Sequence, residues 1–334
     1  EEQVVGGLIT PLSLAVAPDG TVYVANNFAG LLTKAAPGQE AEYIYADEGG
    51  REVGAVSVVH EGAGDVVTFA TTNQDGSAGA MLYTLDGEGN QTEVADLWAF
   101  EQETNPDGGQ KYGIVGLTRA CKKEFRRKQR WMLPYKGIAE SHPYASTTLG
   151  DTTYVADAAA NAILAVDADG VSTQAVLPAT KIEVTRKVRR ALDLPACTKG
   201  RTLKVEPVPT DVEAGPDGNL YVTSLPGGPE DPAMGANGAV YQVNLTTGAV
   251  TRIAGGLVTP TGLAIGPDGT AYVSMLFAGV IMKQPLGGEP SVFAEVDLPG
   301  DVEISGGHVY ATRTGLMDDQ DAPPNGQVLR WPAG

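Results

Sequence analysis

Along most of the chain, apolar and polar residues alternate in short runs, each cut off by glycine, proline, asparagine or aspartate. A period of two, carried by valine, tyrosine and threonine, predicts half-buried strands. Three segments are near copies: residues 10–25, 209–223 and 260–274. Each alternates, turns at Pro-Asp-Gly (Pro18, Asp19, Gly20; Pro216, Asp217, Gly218; Pro267, Asp268, Gly269) and alternates again. Proline presets φ for such a turn and glycine accepts the positive φ that closes it. Weaker copies occupy residues 55–72, 143–157 and 300–312.

A third apolar run follows each hairpin, at 30–34, 80–85, 162–166, 239–243, 279–283 and 327–331, and a fourth often follows, as at 43–46 and 292–294. Four strands repeated six times predicts an all-β fold, a six-bladed β-propeller spanning residues 1–334 as one domain. The sixth repeat reaches the end of the chain after its third strand, while residues 3–7 form an orphan strand at the start. That N-terminal strand is expected to close the ring by completing the last blade.

Two stretches fit no repeat: residues 99–140 and 178–208. Both replace the connection from an outer strand to the next inner strand, so both are expected on one face. Val184, Val188, Ala191 and Leu192 have helical spacing, with Pro195 as the stop, and Cys121, Phe125 and Met132 make a looser stripe near Trp131. Short helical insertions are therefore expected. Cys121 and Cys197 are the only cysteines, one in each insertion, and neither has a further ligand at zinc spacing. The choice lies between two free thiols and one disulfide that would tie the insertions into a lid; the Gly- and Pro-rich secretory character favours the disulfide.

Certain stretches resemble the ScyD/ScyE family, propellers named for the scytonemin gene cluster and related to NHL and gluconolactonase-like propellers. They are Ser-His-Pro-Tyr-Ala at 141–145, residues 155–164, Leu-Pro-Ala-Cys at 194–197, Pro-Val-Pro-Thr-Asp-Val-Glu at 207–213 and residues 224–231. The resemblance covers nearly the whole chain and implies an exported six-bladed propeller, but no defined reaction. The basic stretch 121–130 departs from it.

Charge then changes the picture. The chain carries a net −18 at pH 7, yet residues 119–136 and 181–204 together carry +13 and the remainder −31. Arg126, Arg127, Arg130, Arg186, Arg189 and Arg190 are the candidate contacts of this cationic lid. It has three readings: neutralisation of the protein's own acidic surface, docking of an acidic protein or anionic polymer, or capture of a small anionic ligand. Nucleic acid is excluded as a partner by the overall acidity and by the lack of a stacking platform among the basic residues.

Aligning the inner strands places Asp211, Glu213, Asp301 and Glu303 around the axis, across the small residues Gly262 and Ala264. Such a cluster would hold a hard cation, with Ca²⁺ the candidate, or be satisfied by Arg313, lid arginines or backbone amides. The loops at the same mouth supply Asn26, Phe28, Asp157, Asn161, Phe277 and Arg313, and His142 precedes an inner strand there. No nucleophile elbow, Cys/His pair, phosphate loop or zinc-binding helix occurs. The leading expectation is an exported binding protein that uses its rim and basic lid, alone or within a larger assembly. The alternative is a metal-dependent hydrolase or lactonase at the tunnel mouth. No long apolar run is present, and an N-terminus that opens directly on a strand fits a processed protein in an oxidising, extracytoplasmic compartment.

Overall fold

The turns form as their residues dictate. In the computed structural model Gly20, Gly218 and Gly269 have φ of 88°, 75° and 79°. Each donates its N–H to the carbonyl three residues back, and the aspartate before it accepts an N–H from two residues ahead. The structure describes residues 1–61, 64–73, 76–229, 231–285, 287–315 and 323–333. Glu230, within the 224–231 stretch, and the terminal Gly334 lie outside the described residues.

Among the described residues the strands assemble into seven four-stranded antiparallel sheets. The first runs Pro11–Val16, Val22–Asn26, Leu31–Ala35, Glu42–Ala46 and the second Glu52–Glu61, Gly64–Thr72, Met81–Leu85, Gln91–Asp96. The third comprises Pro143–Leu149, Thr152–Asp157, Ala162–Asp167 and Gly170–Val176, and the fourth Pro209–Ala214, Leu220–Ser224, Gly238–Val243 and Val250–Leu257. The fifth comprises Pro260–Ile265, Ala271–Met275, Val280–Gln284 and Ser291–Glu295. In the sixth, Pro299–Ser305, His308–Arg313 and Gly326–Pro332 are joined by Glu2–Leu8, which pairs with the last strand.

Alternation along these strands gives each sheet two apolar faces, and each face is buried against a neighbour. Phe69, Tyr83 and Leu85 of the second sheet pack on Tyr23 and Leu32 of the first, and Val212 and Leu220 of the fourth on Tyr154 and Ile163 of the third. The sixth packs both on the fifth and, through Val5, Leu8 and Val328, on Leu14, Val22 and Val24 of the first.

Polar side chains near the starts of the inner strands tie neighbouring sheets together. Leu14 N–H donates to Asp301 Oδ2 (2.7 Å), Val56 N–H to Ser13 Oγ (3.0 Å) and Leu263 N–H to Asp211 Oδ2 (2.5 Å). Hydroxyls answer in the same direction around the axis: Thr210 Oγ1 donates to the Pro260 carbonyl and Thr261 Oγ1 to that of Pro299.

The insertions depart from the helical expectation. They share the seventh sheet, ordered Tyr135–Lys136, Lys111–Ile114, Thr202–Val205, Thr180–Glu183. Its central pairing, Gly113 with Lys204 and Ile114 with Leu203, joins one insertion to the other. Strands this short carry too little alternation to be read alone, and each finds its partner in a distant segment. Short helices remain between them. Arg119–Lys123 and Arg186–Ala191 are capped by Thr118 and Thr185, and Arg127–Met132 is a 3-10 helix. Cys121, Phe125, Met132, Val184, Val188 and Leu194 form a separate apolar core with Ile114, Ile182 and Leu203.

Cys121 and Cys197 are disulfide-bonded, with Cα atoms 5.9 Å apart and a sequence separation of 76. Closing a loop of this length stabilises by about 4.5 kcal/mol in the chain-entropy treatment. Because the lid has its own core, reduction is expected to open it before the sheets unfold. Hydrogen exchange should show early loss of protection within 111–136 and 180–205 while the inner strands stay protected; simultaneous loss in both would contradict this division.

Candidate functional site

The predicted site residues fall into three groups: the inner-strand carboxyls, the loop residues and the lid cations. At the axis Asp211 and Asp301 are buried and Glu213 and Glu303 half-buried. Gly262 lets them approach: a Cβ there would lie 2.5 Å from Asp301 Oδ1 and 2.6 Å from its Cα. Both aspartates use their oxygens on backbone. Asp211 accepts from Val212 and Leu263 N–H, and Asp301 from Val302 and Leu14 N–H. Of the partners the sequence offered, the backbone amides are the ones used; Arg313 instead bonds Gln327. Among the described residues no group of three or more His, Cys, Asp or Glu side chains is gathered as a metal site.

Burial pushes all four carboxyls upward, Asp301 to about 7, and the charges of their neighbours add to the rise at Asp211, Glu213 and Glu303. The hydroxyl of the half-buried Tyr144 is raised as well, by burial first and then by the charges of Asp301, Asp211 and Glu52. Glu52 was not singled out from sequence. It is buried, and its Oε2 lies 2.9 Å from Nε2 of the half-buried His142, pairing the first residue of the second sheet with the residue before the third. The signal for it, a lone glutamate opening an inner strand, is too common to read without the fold.

Most polar mouth candidates turn out to hold the frame together. Asn26 is buried, accepting from Ile9 N–H and donating to Thr33 Oγ1. Asp157 is buried and accepts from Ser141 Oγ (2.5 Å), His142 N–H (2.7 Å) and Ala160 N–H (3.1 Å). Asn161 links three parts: its amide donates to Asp107 Oδ2 in the first insertion, and its oxygen accepts from Val208 N–H at the entry to the fourth sheet. Asp107 also accepts from Tyr112 Oη, and beside it the fully buried Glu101 is pushed up to about 8 by burial and by Asp157 and Asp107. Phe28 and Phe277 do reach solvent, each from a 3-10 turn closed by a glycine at positive φ.

The lid cations are placed differently. Arg127, Arg130, Arg186 and Arg190 are exposed, and among the described residues none of them is in an ion pair. Arg126 and Lys128 pair with Asp193, and Arg189 donates to the Leu194 carbonyl (2.9 Å), both contacts lying within the lid. No lid cation bridges to a carboxylate of the six repeat sheets among the described residues.

The axial carboxyls make stability pH-dependent. A carboxyl whose folded pKa is raised holds a proton that the unfolded chain has already shed, so stability falls as pH rises from about 4 toward the folded value. For Asp301 that window runs to about 7, at a cost approaching 1.4 kcal/mol per pH unit per proton. Glu303→Gln should raise Tm relative to wild type at pH 8, leave it nearly unchanged at pH 4 and flatten the slope between. A parallel shift at all pH values would show that the residue does not titrate in this way.

No protein-family description matches the chain, and no curated protein does. Solved structures do. The PQQ-bound aldose sugar dehydrogenase of Streptomyces coelicolor aligns over 99% of this chain and 97% of its own, with TM-score 0.59 and 10% identity. A glucose dehydrogenase-type oxidoreductase of Thermus thermophilus aligns over 98% of each chain, with TM-score 0.56 and 16% identity. Virginiamycin B lyase of Staphylococcus aureus aligns over 97% of this chain and 84% of its own, with TM-score 0.50 and 12% identity. At these identities the likeness bears on architecture alone, and it shows a protein of the β-propeller class.

Proposed function

We propose that this is an exported six-bladed propeller of the ScyD/ScyE type, closed by its N-terminal strand, whose disulfide-tied lid docks an acidic partner or anionic ligand. The observation that carries the docking reading is the state of the lid cations. Were the lid there to neutralise the acidic body, its arginines would reach the body's carboxylates; the ion pairs it makes among the described residues are internal. Exposed cations held on a cross-linked scaffold over an acidic body form a field that orients an incoming anion and speeds its capture. The pairing of the last strand with Glu2–Leu8 and the packing of the sixth sheet on the first support the closed ring. The disulfide is consistent with an oxidising compartment, and no helix among the described residues is long and apolar enough to cross a membrane.

A second reading, a hydrolase or lactonase at the mouth, draws on the His142–Glu52 pair beside the axial carboxyls. It would require a reaction lost in both His142→Gln and Glu52→Gln with the fold intact. The docking reading is tested with poly-glutamate. Its binding should weaken steeply with salt, and reversing Arg127, Arg130, Arg186 and Arg190 to glutamate should cost at least about ten-fold in affinity and flatten the salt dependence. Tm should hold, since these side chains make no ion pairs among the described residues. Salt-independent binding, or full binding by the reversed variant, would count against docking.

A further inference from the structure

One cleft on the lid is bordered by an exposed indole. It lies where the seventh sheet meets the loop after Leu220–Ser224, encloses about 340 Å³, and is lined by Trp131, Tyr135, Lys204, Glu206, Gly227 and Gly228. Trp131 is 44% exposed although the lid core lies immediately beside it, where Met132 is buried. An indole left in water at a cleft mouth is an unfilled contact surface. Gly228 packs along the edge of the indole: a Cβ there would touch Trp131 Cη2 at 3.7 Å and Val205 Cγ1 at 3.8 Å, and its φ of +107° favours glycine, so the exposed part of the ring is what borders the cleft. Tyr135 Oη donates to Glu206 Oε1 (2.8 Å), leaving Oε2 without a hydrogen bond from the described residues. With Lys204 lining the same cleft, an acceptor and a strong donor stand near one aromatic face.

From this arrangement we infer that the cleft binds a pyranose ring of a uronic-acid polysaccharide. The apolar C–H face of the sugar would lie on Trp131, its hydroxyls would meet Glu206 Oε2 and the Lys204 ammonium, and carboxylates of adjoining rings would face the unpaired cations of the lid. The inference rests on the docking reading and narrows its partner. A cationic ligand would suit the aromatic rings but would be repelled by the surrounding arginines and lysines. An acidic peptide would satisfy the cations, yet it offers no ring with an apolar face to cover the exposed indole and a hydroxyl rim to meet Glu206 and Lys204.

The test is titration of the disulfide-intact protein with hexagalacturonate and, separately, with poly-glutamate, read by calorimetry and tryptophan emission. Hexagalacturonate should bind with a change in emission, and Trp131→Ala should weaken it roughly ten-fold while Trp131→Phe restores most of the loss. Poly-glutamate should be indifferent to Trp131→Ala. Unchanged hexagalacturonate affinity in Trp131→Ala, or equal losses for both probes, would overturn the saccharide assignment. If Arg127→Glu with Arg130→Glu weakens both probes while Trp131→Ala weakens neither, docking stands and the sugar site falls. If neither probe binds at low salt, both readings fall.

Discussion

The structure depends on side chains at the inner strands that hydrogen-bond the backbone of the next sheet. Ser13, Asp211 and Asp301 each accept the N–H of a residue on the following inner strand. Apolar faces hold the sheets together, but they would tolerate sliding. These short, directional bonds fix how far around the axis each sheet sits from the last, and a buried backbone N–H left without a partner would be costly. Two of the three acceptors are carboxyls, so the frame concentrates acid at its centre as a consequence of how it is joined.

That placement explains the division of charge. Burial favours the protonated form of Asp211, Glu213, Asp301 and Glu303, and like neighbours add to it at all but Asp301, so these carboxyls are driven toward neutrality instead of toward cations of the lid. The lid has its own apolar core, its own sheet and its own disulfide, and it satisfies Asp193 internally. Its remaining arginines thus stay in solvent, where a charge retains its hydration and its reach toward a partner is set by the Debye length, roughly 8 Å at physiological salt. A propeller built this way presents a cationic surface without having to balance it locally.

The link between the two parts is polar and buried. Asn161 spans the third sheet, the first insertion and the entry to the fourth sheet, and Asp107 gathers Tyr112 and Asn161 beneath the lid. Every member depends on another for its hydrogen bonds, so the lid is oriented by a network, while its internal cohesion comes from apolar packing. The exposed Trp131 and its cleft inherit their position from that arrangement.

By itself the sequence determined the repeat: Pro-Asp-Gly turns and alternation are local chemistry, and three clear copies with three weaker ones leave few folds open. It also determined that Cys121 and Cys197 lie in the two stretches that interrupt the repeat, and that the positive charge lies there too. Tertiary structure decided what neighbours in space must decide. Asn26, Asp157 and Asn161 looked like mouth residues because asparagine and aspartate crowd loops, yet their partners, distant in the chain, make them ties of the frame. The lid's sheet was hidden because Gly113 and Ile114 pair with Lys204 and Leu203, and no local pattern records a pairing across that separation. Glu52 gained its histidine, and Trp131 its open cleft, only when the sheets closed around them, because burial and proximity are properties of the folded chain and not of any residue in it.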